Sequence, residues 1–207
     1  FNTALGSYAL TGNTSGYSNT AVGAKSLIAN TTGSRNTAVG DSALLKNTTG
    51  SYNTATGYLA LSSNTTGEFN TAYGSYSMEK NTTGNENIAY GGEAFRNNIS
   101  GSFNVAIGVG TLGSNTSGGE NTAIGRRAMS SNTIGTFNTA VGQAALYANT
   151  TGSNNTAVGR TSLVYNTGEG NTAMGATSIT NNTTGNNNTG VGQAVLATNT
   201  TGSNNTA

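Results

Sequence analysis

Three arginines are the most concentrated charge in a chain that carries few reactive groups. Arg126, Arg127 and Arg160 lie within two repeats of each other on one edge, as candidate ligand-binding residues. Guanidinium groups present forked donors that match a carboxylate or sulfate, so an anionic glycan is the chemistry they suit. Little else in the sequence can react. The 207 residues include no Cys and no His, which removes disulfides, thiol catalysis, zinc clusters and the commonest general base. An enzyme would have to work with seven Asp and Glu residues. Glu79 and Glu93 fall on different edges of different repeats, and no carboxylate pair is placed by spacing to share a substrate. The sequence therefore predicts no catalytic residue, no metal site and no cofactor. The Asp-rich pattern of calcium-binding rolls is missing as well. A formal net charge of +1 gives no reason to expect nucleic acid, and no apolar run is long enough to insert in a membrane.

The positions of these residues are set by a repeat. Asn19-Thr20-Ala21-Val22-Gly23 recurs with small changes, its Asn falling at 2, 19, 36, 53, 70, 87, 104, 121, 138, 155, 171, 188 and 205. The interval is 17 residues except between Asn155 and Asn171, where Asn166-Thr167-Gly168 lacks a second Thr. Counting from that Asn, position 5 is always Gly, position 12 always Asn and position 15 always Gly. Position 9 is always large and apolar, as in Leu27, Leu44, Leu61, Phe95 and Leu146, and these are the predicted core. All charged residues fall on positions 6, 7, 10, 11, 16 and 17, which marks those as solvent-facing, because burying unpaired charge is costly. A strict period in apolar positions argues for packed coils over disorder.

Frequent Gly and an apolar spacing that never holds at three and four argue against a helix, and the absence of Asn-Gly argues against tight hairpins. The spacing predicts an all-β fold: a parallel β-solenoid, or β-roll, of about twelve 17-residue coils, one domain over 1–207. At ~4.8 Å per coil it would be a rod of roughly 55 Å. Positions 1 to 5 read as a strand of about five residues and positions 8 to 11 as a second strand. Asn19, Asn36 and Asn53 at position 1, with Asn30, Asn47 and Asn64 at position 12, are predicted to form ladders of stacked amides. Gly at positions 5 and 15 is predicted to supply positive φ at corners. Position 4, including Val22, Val39, Tyr73, Tyr90 and Ile107, varies too much in size for a thin interior and is assigned to a face between subunits.

Short coils with an N-T-A-V-G strand and a Gly turn resemble the head repeats of YadA-like trimeric autotransporter adhesins. The longer N-T-A-V-G-x-x-A-L-x-x-N-T-T-G-S form is similar to repeats in fibre proteins of phage-like origin. The likeness covers essentially the whole chain. It implies a left-handed coil, a homotrimer and display on a cell surface or virion fibre, where a host surface or glycan receptor would be the partner. The repeat differs in length from the adhesin type, seventeen against about fourteen residues. Because the sequence opens and closes within a repeat, it is expected to be a segment of something longer or to stack end to end as a filament. Two other readings attach to Thr. Rows of Thr at position 13, such as Thr48 and Thr65, suit an ice-binding surface, and triplets such as Asn30-Thr31-Thr32 match the N-glycosylation pattern. A broken aromatic row at position 17, with Phe1, Tyr52, Phe69, Phe103 and Phe137, is a candidate contact for a subunit, receptor or sugar.

Overall fold

A computed structural model describes residues 1–207. One strand forms in each coil: β1 (Thr3–Leu5), β2 (Thr20–Val22), β3 (Thr37–Val39), β4 (Thr54–Thr56), β5 (Thr71–Tyr73) and β6 (Ile88–Tyr90). The second half follows with β7 (Val105–Ile107), β8 (Thr122–Ile124), β9 (Thr139–Val141), β10 (Thr156–Val158), β11 (Thr172–Met174) and β12 (Thr189–Val191). They make one 12-stranded parallel sheet in sequence order, with Thr3 opposite Thr20, Thr20 opposite Thr37 and so on. The fold is an all-β parallel solenoid of about 11 turns with no helix. The shortened coil keeps register, since Thr156 still pairs with Thr172 and Val158 with Met174.

Each strand is three residues, positions 2 to 4, rather than five. Positions 8 to 11 form no strand; they belong to a run of turns over positions 6 to 11. In the second coil Ser26 N–H donates to Gly23 O at 3.4 Å, Ile28 N–H to Lys25 O at 3.3 Å and Asn30 N–H to Leu27 O at 3.1 Å. The third residue of such a turn needs positive φ when the turn is of type II, a conformation Gly or Asn adopts most readily. Here Lys25 has φ 56° and Leu27 φ 50°. A turn residue can thus also be the core residue, which is why apolar spacing alone reads as a strand.

Stacking holds these turns in place. Of 139 backbone hydrogen bonds only 22 lie within strands, so the turns carry most of the contacts between coils. Leu27 N–H donates to Ala43 O at 3.1 Å in the next coil, and Thr31 N–H to Thr48 O at 2.9 Å. The core is a single file: Leu27, Leu44, Leu61, Phe95 and Leu146 are fully buried, beside Ala at position 3 and small residues at position 8.

The two Gly positions of the repeat work differently. Position 5 has positive φ, 130° at Gly23, which side chains rarely adopt. Position 15 does not; Gly50 has no positive φ. It is Gly because of close approach: a Cβ there would stand 2.5 Å from Asn47 Oδ1 and closer still to the Gly67 carbonyl oxygen.

Candidate interaction face

The Asn corners explain why one side of each coil is closed to chemistry. Asn36 Nδ2 and Asn47 Nδ2 both donate to the Gly50 carbonyl at 2.9 Å, so two side chains clamp one corner. Between coils Asn47 Nδ2 donates to Asn30 Oδ1, and Asn64 Nδ2 to Asn47 Oδ1, each at 2.8 Å. Position 1 stacks by another pattern: Asn36 N–H donates to Asn19 Oδ1 and Asn53 N–H to Asn36 Oδ1, each at 2.9 Å. Of these six, Asn19 is 1% exposed and the others are fully buried. Every buried side-chain nitrogen and oxygen in the protein has a partner. The Asn30 amide that fits the glycosylation pattern is spent on Asn13 Oδ1 and Gly33 O, so the folded coil offers it to no sugar transfer. The position 13 hydroxyls are also used inside the stack, Thr48 Oγ1 donating to Thr65 O and Thr65 Oγ1 to Thr82 O at 3.0 Å.

The sheet is the open side. Alternation along each strand turns position 3 inward and positions 2 and 4 outward, as in β5, where Ala72 is buried between exposed Thr71 and Tyr73. Position 4 is therefore a row of apolar side chains, interrupted by Thr56, that are exposed or half-buried. Val22 is half-buried, Val39 and Ile107 are exposed, and Tyr73 and Tyr90 are 48% and 54% exposed with rings stacked 4.7 Å apart. Position 2 adds a row of Thr, broken by Ile88 and Val105, and the Thr hydroxyls in it make no hydrogen bond within the chain.

Two flanks border this face. Position 17, just before each strand, carries Tyr52 stacked on Phe69 at 4.7 Å, and Arg35 between the rings of Tyr17 and Tyr52 at 5.1 Å from each. A shallow groove of about 440 Å³ runs between Phe69 and Glu86 on this flank and Thr71 and Ile88 on the sheet. Phe103 and Phe137 are exposed further along, and Phe1 is fully exposed at the start.

Positions 6, 7 and 10 make the other flank. Arg126 and Arg127 line a groove of about 200 Å³ with Gln143, Ala144, Tyr147, Thr161 and Val164. Arg160 is exposed on the same flank but does not line this groove. None of these three arginines has a carboxylate within 4.0 Å; the ion pairs belong to Arg96, with Glu79 at 2.7 Å and Glu93 at 3.9 Å. Glu79 and Glu93 are thus gathered by one guanidinium, against the expectation of separate edges. The turns fold position 7 back beside position 10, a geometry that a strand reading hides. The hydrogen bond with Glu79 raises the Arg96 pKa above its already high ordinary value, and the guanidinium also lies 4.8 Å from the Tyr76 ring centre.

No group of three Asp, Glu, His or Cys residues is placed to hold a metal ion, and no helix is long and apolar enough to cross a membrane. No protein-family model and no curated protein matches this chain.

Proposed function

We propose that this chain is a rod-forming segment of an extracellular structural or adhesive fibre, assembled as a parallel homotrimer through the outer face of its sheet. The supporting observation is the uncovered row at position 4, which runs the length of twelve strands and is apolar in all but β4, where Thr56 stands. Contiguous apolar surface of that extent on a soluble protein calls for a partner. The left-handed coil, the number three and the placement on a cell or virion surface follow from the resemblance to adhesin heads. The Asn corners are buried and each of their polar atoms has a partner within the chain, so attachment to cells, matrix or glycans falls to the variable flanks. End-to-end association of rods would extend the same stacking. The reading assigns the chain no catalytic step, in keeping with its lack of His and Cys. Sedimentation velocity tests it: a species of three chains is expected, and a stable monomer at micromolar concentration would rule the assembly out.

One observation favours a second reading, ice binding. The Thr hydroxyls of position 2 point outward without partners from a regular parallel sheet, a better lattice than the spent hydroxyls of position 13. Both readings use the same face. A monomer that shows thermal hysteresis, abolished by Thr37→Tyr with Thr54→Tyr, would favour ice over self-association.

A further inference from the structure

The coil of β7 is the one coil with no side chain at position 7 or at position 10, where Gly110 and Gly113 stand. The backbone does not require either glycine. The other eleven coils carry side chains at both positions, and every residue at position 7 holds positive φ, among them Leu59 at 55° and Tyr76 at 59° beside Gly110 at 66°. A Cβ on Gly110 would meet nothing closer than Arg127 Cγ at 3.6 Å, an ordinary contact. What the two glycines provide is space. With coils about 4.8 Å apart, one bare coil leaves roughly 10 Å between the side chains of its two neighbours.

The gap is a polar cleft of about 320 Å³. Glu93 and Arg96 form its wall on the β6 side, Arg127 and Ser130 its wall on the β8 side, and Tyr147 stands one coil further on. Asn97 Nδ2 donates across the floor to Gly113 O at 2.6 Å, which fixes the amide and leaves its Oδ1 free to accept. Arg127 belongs to no ion pair, whereas Arg96 is held by Glu79 at 2.7 Å. Arg127 and Tyr147 also line the groove that holds Arg126, Gln143 and Thr161. The two depressions thus share a wall and run along the rod from the coil of β6 to that of β10, four coil steps or roughly 19 Å.

We infer that the cleft and the adjoining groove bind an oligosaccharide containing an acidic sugar, its carboxylate on Arg127. A guanidinium fork matches a carboxylate, while Glu93, Asn97 Oδ1 and the Ser130 hydroxyl suit the hydroxyl groups of a sugar. The half-buried Tyr147 ring offers a flat apolar surface to a pyranose. Tyr147 is the one apolar residue of the cleft, so a hydrophobic peptide side chain gains little there. The Glu93 side chain, 59% exposed, opposes a densely sulfated or phosphorylated chain. Arg160 lines neither depression and has no part in the site. The inference rests on the adhesive part of the function proposed above and gives it a place and a ligand class; the number of chains does not enter it.

Titration calorimetry of the whole chain with trigalacturonate and with sialyllactose, against maltotriose and lactose as neutral counterparts, tests the site. At least one acid is expected to bind, and the neutral sugars about tenfold more weakly or not at all. Gly110→Leu fills the cleft with a side chain that position 7 already accepts at Leu59, so the thermal melt should hold while affinity for the acid falls about tenfold or more. Arg127→Gln should lose as much, and Arg160→Gln less than about twofold. Binding of neither acid, equal binding of the neutral sugars, or full affinity in a folded Gly110→Leu variant would overturn the inference. So would an Arg160→Gln loss equal to that of Arg127→Gln, the mark of diffuse charge attraction. Sedimentation of the same samples keeps the two proposals apart: an oligomer that binds neither acid loses the site and keeps the assembly, and a monomer that binds keeps the site and loses the assembly.

Discussion

The Asn corner and the outer sheet face are built from the same 17-residue unit but solve opposite problems. At the corner every polar atom is closed off within the chain: Gly50 O takes two amides and Asn47 reaches both neighbouring coils. Nothing there can vary, because a change in one coil leaves donors or acceptors unmet in three. On the sheet face the backbone is satisfied by the ladder but the side chains are not, so Val39 can give way to Thr56 and then Tyr73 without disturbing the coil. Invariance in this molecule marks the stack, and variation marks the exposed surface.

That contrast breaks most visibly at the core and the corner. Leu61→Asp places a carboxylate where no polar partner exists and should cost more than about 4 kcal/mol, seen as loss of the cooperative melt by circular dichroism. Gly50→Ala should cost several kcal/mol, roughly 3 or more, because the methyl group collides with backbone of the next coil, which cannot move aside. Asn47→Ala removes a donor to Gly50 O and both links of its ladder, and should lower stability by about 2–3 kcal/mol in urea unfolding. On the open face the expectation reverses. Ile107→Asp should change the stability of the isolated coil stack by less than about 0.5 kcal/mol yet dissociate the oligomer in sedimentation. The smallest effect sharpens the strain argument. Ile179 holds φ 47°, unusual for a β-branched residue, so Ile179→Leu should raise the melting temperature slightly, a gain of roughly 0.3 kcal/mol.

Much of the architecture was legible from spacing. The 17-residue period, Ala and Leu at fixed positions and Asn at two corners lead to stacked parallel coils without further information. What spacing could not carry was backbone conformation. Leu27 in the left-handed region looks like a strand residue in sequence, because a large apolar residue flanked by small ones has the same pattern in a strand and in a turn held by its neighbours. Gly33 and Gly50 likewise look like turn glycines, although close approach of the next coil is what requires them. The candidate site was legible in part. Strand alternation and variability in size together place Val39, Tyr73 and Ile107 outward, whereas the gathering of Glu79, Glu93 and Arg96 depends on turns that bring positions 7 and 10 together.

The central claim is that the apolar sheet face is covered by further copies of this chain. Sedimentation equilibrium of the 207-residue chain at micromolar concentration measures that most directly. The account predicts a single species of three times the chain mass that falls apart in Ile107→Asp. A wild type that sediments as one chain across the concentration range, with its sheet face open to solvent, would contradict it.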